Sequence, residues 1–168
     1  MHEIGEYIVK SSNGICKIED IVHLNFSGAD KKALYYVLIP VNDDKEKIYM
    51  PTETENQSVR KIMSSEEAME LITHIPDVNE IWVANEKVRE QRYKEAVRSN
   101  NPVELIGIIK LIYMRKKERL DKGKKTTAID EKYFRIAEER LYSELEISLH
   151  KSKEEVHKLI EQYCGEND

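Results

Sequence analysis

The chain has 168 residues, of which 40% are hydrophobic and 35% charged, and its formal net charge at pH 7 is -5. This composition argues against a disordered polymer, and the absence of any apolar run of about 18 residues argues against a membrane-spanning helix. We expect one ordinary domain or two small ones with much solvated surface.

The chain shows no sign of secretion, disulfide bonding or metal binding. Its first residues, MHEIGEYIVK, lack a basic segment followed by an apolar one, so no signal peptide is predicted. Cys16 and Cys164 lie at opposite ends of the sequence, without a CxxC pattern or a Cys/His cluster. We therefore expect a soluble cytoplasmic protein with no metal and no cofactor.

The first third of the chain has a pattern typical of β-structure. Short runs rich in Val, Ile and Tyr alternate with turn residues, and these runs are EYIVK, GICKIEDIVHL, KALYYVLIPV, KIYMP and SVRKIM. Asn13-Gly14 supplies two residues that tolerate the positive φ of a tight hairpin. Five short strands in about 60 residues are too few for a sandwich, so we predict a small SH3-like or Tudor-like barrel over residues 1–62.

After Ser64 the apolar period changes from two to about 3.6, which predicts helices. The first helix has glutamates in its first turn, ends at Pro76 and places four apolar side chains on one face: Ala68, Leu71, Ile72 and Ile75. A second helix should begin near Ile81 or Asn85 and end at Arg98, where SNNP stops it and caps the next helix.

The third predicted helix begins at Pro102 and ends near residue 120. Its apolar stripe consists of Val103, Ile106, Ile109 or Lys110, Ile112 and Tyr113. A fourth helix should open at Asp130 and end near residue 149, because apolar side chains recur there at three- and four-residue spacing. These side chains are Phe134, Ala137, Leu141, Leu145 and Leu149.

A capping-box pattern marks the start of a short final helix. Ser152 and Glu155 have the required spacing, and the helix should end at Tyr163. The sequence therefore predicts an α+β chain in which a β-barrel domain, residues 1–62, precedes an all-α helical domain, residues 63–168.

Charge is distributed unevenly along the predicted helices. Residues 87–125 carry 13 Lys or Arg against 5 Asp or Glu, whereas the rest of the chain is acidic. Such a basic segment could contact phosphates or could be an ordinary solvated face. Trp82, the only tryptophan, lies just before it in the polar stretch NEIWVANEKVREQRYK, and is either a core residue or a contact residue.

Catalytic motifs are lacking in the sequence. The five histidines are scattered singly, only six glycines are present, and no GxGxxG, P-loop or GxSxG pattern occurs. Carboxylates on helical faces leave a small nuclease as a third hypothesis, but they form no recognisable acid–base pair. We predict a protein that is not an enzyme and has no catalytic residue.

Two long segments resemble known bacterial proteins. IGEYIVKSSNGICKIEDI, YYVLIP, KIYMPTE and SVRKIMS resemble the RNA-polymerase-interacting domain shared by CarD/CdnL-type transcription regulators and the transcription-repair coupling factor. The stretch from IWVANEKVREQRYK to AEERLYSELEISL resembles the helical C-terminal domain of the CarD/CdnL proteins. The coupling factor would continue into a helicase motor, and no Walker motif is present here.

This resemblance implies a function for each domain. Family members bind the RNA polymerase β subunit through the barrel, and they stabilise the open complex by placing the helical domain against promoter DNA at the upstream edge of the bubble. Trp82 would then be the minor-groove wedge, with low sequence specificity. The accompanying cations would be Lys87, Arg89, Arg92, Lys94, Arg115, Lys116, Lys124, Lys125 and Lys132.

The polymerase contact is expected at a strand edge of the barrel, because an exposed edge can pair with a partner's sheet. The predicted contact residues are Tyr36, Leu38, Ile48 and Met50. The alternative is that these strand residues simply fill the barrel. We expect a monomer that is associated with the nucleoid through RNA polymerase. The competing hypothesis is a protein–protein adaptor without DNA contact, in which Trp82 is buried.

Overall fold

The computed structural model describes residues 1–53 and 59–165. The chain divides into two compact units, Met1–Ile62 and Met63–Asp168. They are called the sheet unit and the helical unit below. Ser58, which the sequence places in the fifth strand, lies outside the described residues.

The sheet unit contains an antiparallel five-stranded sheet with the order β4-β3-β2-β1-β5. Its strands are β1 Tyr7–Lys10, β2 Gly14–His23, β3 Leu34–Pro40, β4 Ile48–Pro51 and β5 Val59–Lys61. The first hairpin turns where Lys10 faces Gly14, and Gly14 adopts a φ of 73°. A positive φ at this point explains why the turn needs glycine. The predicted strands are confirmed.

Strands β4 and β5 form the two edges of this sheet. No pairing joins them in the described part of the chain, so the sheet is open and its closure into a barrel stays a prediction. A register shift between Ile18 and Asp20 interrupts the pairing of β2 with β3. Such an irregularity bends a strand and increases its twist, as a small curved sheet requires.

The helical unit contains five α-helices and one short 3-10 turn among its described residues. They are α1 Ser65–His74, the 3-10 turn Ile75–Asp77, α2 Glu86–Ser99, α3 Pro102–Asp121, α4 Ala128–Leu149 and α5 Lys153–Cys164. The capping box predicted at Ser152 is present, and a second capping box at Ser64 begins α1. Of the two starts proposed for the second helix, the one at Asn85 is confirmed, since this side chain caps α2.

Two details of α3 and α4 differ from the sequence prediction. In α3, Val103 and Tyr113 are 50% and 40% exposed, whereas Leu105 and Ile108 are buried. This helix contacts both α2 and α4, so its buried surface is wider than a single apolar stripe. Helix α4 begins two residues earlier than predicted, because Thr127 rather than Asp130 provides the cap.

None of the described helices combines the length and the apolar character needed to cross a membrane.

Candidate functional site

Trp82 is an exposed side chain between two buried anchors. Its relative exposure is 78%, whereas Ile81 is buried at 8% and Val83 packs against the core of the helical unit. Alternate residues of this extended stretch therefore point inward and outward, as in a strand. The hypothesis that Trp82 belongs to the core is wrong, because its two neighbours supply the packing instead.

The segment that carries Trp82, residues 78–85, is fastened to α3. The Ile81 N–H donates to the Gly107 carbonyl at 3.3 Å. The Lys110 ammonium donates to the carbonyl oxygens of Ile75 and Val78, each at 2.6 Å. Main-chain groups that would otherwise need water thus have fixed partners, which holds the exposed indole on an anchored backbone.

A buried carboxylate joins α2, α3 and α4 close to this segment. Asp130, in the first turn of α4, is fully buried. It accepts hydrogen bonds at 2.9 Å from the Tyr93 hydroxyl of α2 and at 2.9 Å from Nε of Arg115 in α3. A buried charge requires such partners, so the position of Asp130 requires the three helices to converge.

Glu86 closes these contacts into a ring. Its carboxylate accepts two hydrogen bonds from Arg89, at 2.9 and 2.6 Å, and one from Arg115 at 3.3 Å. Arg89 also donates to the Tyr93 hydroxyl at 3.2 Å. We call Glu86, Arg89, Tyr93, Asp130 and Arg115 the polar ring. It fixes the first turn of α2, which begins four residues after Trp82.

Protonation equilibria follow from these contacts. Hydrogen bonding from Arg89 holds the pKa of Glu86 below its usual value, and the same bond raises the pKa of Arg89. Burial raises the pKa of Tyr93 to about 12. Glu86 and Arg89 therefore stay charged and Tyr93 stays neutral at neutral pH.

Three cations that the sequence analysis assigned to phosphates form ion pairs within the helical unit, and two of them belong to the polar ring. Arg89 and Arg115 have side chains only 12% and 20% exposed, and both pair with carboxylates inside the helical unit. Arg92 pairs with Glu104 of α3 at 3.3 Å. These ion pairs join the helices to one another, and a phosphate contact by the three guanidinium groups stays a prediction.

The remaining predicted cations, all lysines, are exposed. They are Lys87, Lys94, Lys116, Lys124, Lys125 and Lys132. Three of them are neighbours in sequence of polar-ring residues, since Lys87 follows Glu86, Lys116 follows Arg115, and Lys132 is two residues after Asp130. Lys94 lies two turns farther along α2 and is 3.9 Å from Glu90.

The loop between α3 and α4 adds two of these lysines. Nε of Arg119 donates to the carbonyl of Lys125 at 2.7 Å, which ties the loop to the end of α3. Lys124 and Lys125 are therefore held near the C-terminus of a helix, where the dipole favours cations and where Arg119 itself lies.

Acidic side chains flank Trp82 as well. Asp77 and Glu80 precede it and are exposed, and Glu86 follows it. The local surface is thus mixed in sign: carboxylates lie on the segment itself and lysines lie beyond the start of α2.

In the sheet unit, the four predicted polymerase contacts belong to the core. Tyr36, Leu38 and Met50 are 2%, 0% and 7% exposed, and Ile48 packs against the same cluster. The structure corrects their assignment as surface contacts. These residues occupy alternate positions that face the inside of the curved sheet, as the competing explanation proposed.

The exposed feature of β4 is its main chain. The Thr52 N–H donates to the Leu34 carbonyl at 2.9 Å, so that pair is a hydrogen-bonded one. Hydrogen-bonded and open pairs alternate in antiparallel sheets, and Tyr49 opposite Val37 is therefore an open pair. The N–H and C=O of Tyr49 point away from β3, and its side chain is 47% exposed.

No group of three His, Cys, Asp or Glu side chains suited to a metal ion occurs in residues 1–53 and 59–165.

Sequence reasoning missed Asp130, Gly107, Lys110 and the main chain of Tyr49. Asp130 has the signature of a helix start, and nothing in its sequence neighbourhood indicates full burial. Gly107 did carry a signal, because an isolated glycine within a helical pattern often marks a close approach of another segment.

Residues 2–63 match the family model described as the CarD-like/TRCF RID domain. No curated protein gives a significant match to the chain. A RID domain is an RNA polymerase-interacting domain, which implies a transcription-related role, and the β subunit is the partner in this family. The chain therefore carries a CarD-like/TRCF RID domain in its N-terminal unit.

Proposed function

We propose that the chain is a non-enzymatic transcription regulator that binds the RNA polymerase β subunit and stabilises the promoter open complex. The RID match supports the polymerase contact. The observation that carries the DNA contact is Trp82, which is 78% exposed on a segment anchored on both sides. On this proposal, the protein is a cytoplasmic monomer that is associated with the nucleoid and needs no cofactor.

An exposed and anchored indole is suited to melted DNA. Inserting an apolar wedge at a base step costs a few kcal/mol in intact duplex, so the wedge favours DNA that is already distorted. Stacking on an exposed base recovers roughly 1 to 3 kcal/mol. Such a difference between the two states would shift the ratio of open to closed complexes by about 5- to 150-fold.

The exposed lysines supply the complementary electrostatic part. Lys87, Lys116 and Lys132 are exposed, and each lies within two residues of a member of the polar ring. Ammonium groups contact phosphates without reading bases. The DNA contact should therefore show low sequence specificity and strong dependence on salt.

For the polymerase contact, the edge of β4 is the favoured surface. Tyr49 offers one main-chain donor and one acceptor that are directed away from β3. Pairing of such an edge with a partner strand provides main-chain hydrogen bonds, and exposed side chains add selectivity. Tyr49 thus replaces the buried residues as the expected contact.

The acidic flank of Trp82 favours a second candidate, a protein–protein adaptor without DNA contact. Asp77, Glu80 and Glu86 would repel phosphates, and an exposed tryptophan beside carboxylates fits a basic protein surface. On this alternative, the RID domain would bind one partner and Trp82 a second protein.

Fluorescence titration separates the two candidates, because Trp82 is the only tryptophan. Fork DNA with a melted segment should quench its emission, whereas fully paired DNA of equal length should do so only weakly. Binding should weaken with salt with a log–log slope of about -0.9 per phosphate neutralised. Emission unaffected by fork DNA at low salt would favour the adaptor.

A further inference from the structure

We propose that Gly107 and Lys110 of α3 form a positioning clamp that sets the orientation of Trp82. This inference rests on the proposed function of Trp82 and adds the residues through which the helical unit controls it. Neither residue contacts DNA in this proposal. Both act on the backbone of residues 75–81, which leads into the exposed indole.

Lys110 adds side-chain hydrogen bonds to the start of this stretch, where Ile75 is buried and Val78 packs against the core. Its ammonium is 2.6 Å from both the Ile75 and the Val78 carbonyl oxygens. Ile75 and Pro76 line a cavity of about 600 Å³, so side-chain packing is incomplete on that side. Charge-assisted hydrogen bonds are stronger than neutral ones, and here they fix two carbonyls, of which that of Ile75 belongs to a residue lining this cavity.

Gly107 fixes the distance between the same stretch and α3. A Cβ atom at this position would lie 2.9 Å from Cγ1 of Ile81 and 3.2 Å from the Asn79 carbonyl oxygen. Ile81 also donates its N–H to the Gly107 carbonyl. Glycine is unfavourable within a helix, but here its missing side chain permits the close approach of the residue next to Trp82.

Gly107 and Lys110 are three residues apart and therefore lie on one face of α3. Gly107 sets how closely the backbone of residues 75–81 approaches α3, and Lys110 holds that backbone by hydrogen bonds. Because Ile81 is buried against this face while Trp82 is exposed, a displacement of Ile81 turns the indole without changing its exposure. We therefore expect the clamp to affect the orientation of the Trp82 side chain more than the stability of the helical unit.

The first test measures the free protein. Lys110→Met keeps the aliphatic stem and removes both hydrogen bonds, and Gly107→Ala introduces the close contact while improving helix propensity. Lys158→Met, on the exposed face of α5, is the matched control. Time-resolved anisotropy of Trp82 should show greater segmental motion in Lys110→Met and an altered decay in Gly107→Ala, with none in the control. Circular dichroism verifies that the helices remain.

The second test uses the lifetime of open complexes formed by bacterial RNA polymerase holoenzyme. Each clamp variant should shorten the lifetime by about threefold or more, and it should have no further effect in a Trp82→Ala background. Should Lys110→Met fail to fold, Gly107→Ala provides the same comparison.

Two results overturn the clamp: unchanged Trp82 anisotropy in both variants, or a lifetime effect that persists in full when Trp82 is absent. If Trp82→Ala alone leaves the lifetime unchanged, the proposed function fails, and the anisotropy of the free protein still decides whether the clamp exists.

Discussion

The two units of this chain expose opposite parts of the polypeptide. In the sheet unit, the apolar side chains of β3 and β4 form the core, and the main chain of Tyr49 is left at the edge. In the helical unit, the backbone around Trp82 is bonded to α3, and the side chain is left exposed. In both units, the contacts that hold the neighbouring residues indicate which group is available for an interface, and hydrophobicity alone does not.

The largest expected effect concerns the polar ring on which the helical unit depends. Asp130→Ala removes a fully buried carboxylate and leaves the Tyr93 hydroxyl and Nε of Arg115 without their acceptor, so it should lower the free energy of unfolding by about 3 to 5 kcal/mol. Chemical denaturation followed by circular dichroism measures this change. Glu131→Ala, an exposed change in the same turn, should cost less than about 1 kcal/mol. Equal losses of stability in Asp130→Ala and Glu131→Ala would show that the polar ring does not stabilise the helical unit.

A slightly smaller effect is expected in the core of the sheet unit. Leu38→Ala should destabilise that unit by about 2 to 5 kcal/mol, because Leu38 is fully buried. Polymerase affinity should then fall only to the extent that the unit unfolds, as thermal melts and pull-downs with the β subunit would show. A stable Leu38→Ala protein that no longer binds polymerase would show that Leu38 contacts the polymerase. It would contradict the assignment of Leu38 to the core alone.

The burial of Leu38 illustrates which features of the molecule could be predicted from the sequence and which could not. Strand alternation and helix period located the elements, and the capping residues Ser64, Asn85 and Ser152 marked helix starts, since these signals are local. Alternation cannot say which face of a lone strand is inside, and it suggested the core face as the contact surface.

The polar ring could not be predicted from the sequence, because its contacts join residues that are far apart in the chain. Arg89 and Arg115 are 26 residues apart in sequence, and both reach Glu86 only after α2 and α3 have packed. A lysine or arginine in a basic segment looks the same whether it faces solvent or a buried carboxylate. Trp82 was different, because its polar surroundings correctly raised the question of exposure.

A third effect concerns pH and the buried hydroxyl of the ring. The pKa of Tyr93 is about 12 in the folded state against an ordinary value of 10. Unfolded chains therefore release this proton first as pH rises, so the stabilisation is complete below pH 10 and is lost as pH approaches 12. The loss is on the order of 3 kcal/mol by linkage.

Urea denaturation between pH 9 and 12 tests this effect on wild type and Tyr93→Phe. The wild-type free energy of unfolding should fall more steeply above pH 10 than that of the variant, which has no hydroxyl to titrate. Parallel curves for the two proteins would mean that the Tyr93 hydroxyl is not buried in the ring.

A smaller effect should separate main-chain from side-chain recognition at β4. Tyr49→Pro removes the outward N–H and should weaken binding to the β subunit by about tenfold or more, whereas Tyr49→Ala should weaken it less. Both variants should stay folded, because proline is tolerated at a sheet edge whose N–H faces outward. Titration with the isolated β subunit provides the affinities, and an effect of alanine equal to that of proline would assign the contact to the side chain.

If Trp82 is a contact residue rather than a structural one, replacing it should change the lifetime of the promoter open complex, which can be measured with Trp82→Ala. We predict that the variant unfolds within about 0.5 kcal/mol of wild type, because the indole is exposed. It should bind polymerase normally and shorten the lifetime by about fivefold or more. An unchanged lifetime with intact polymerase binding would contradict the account.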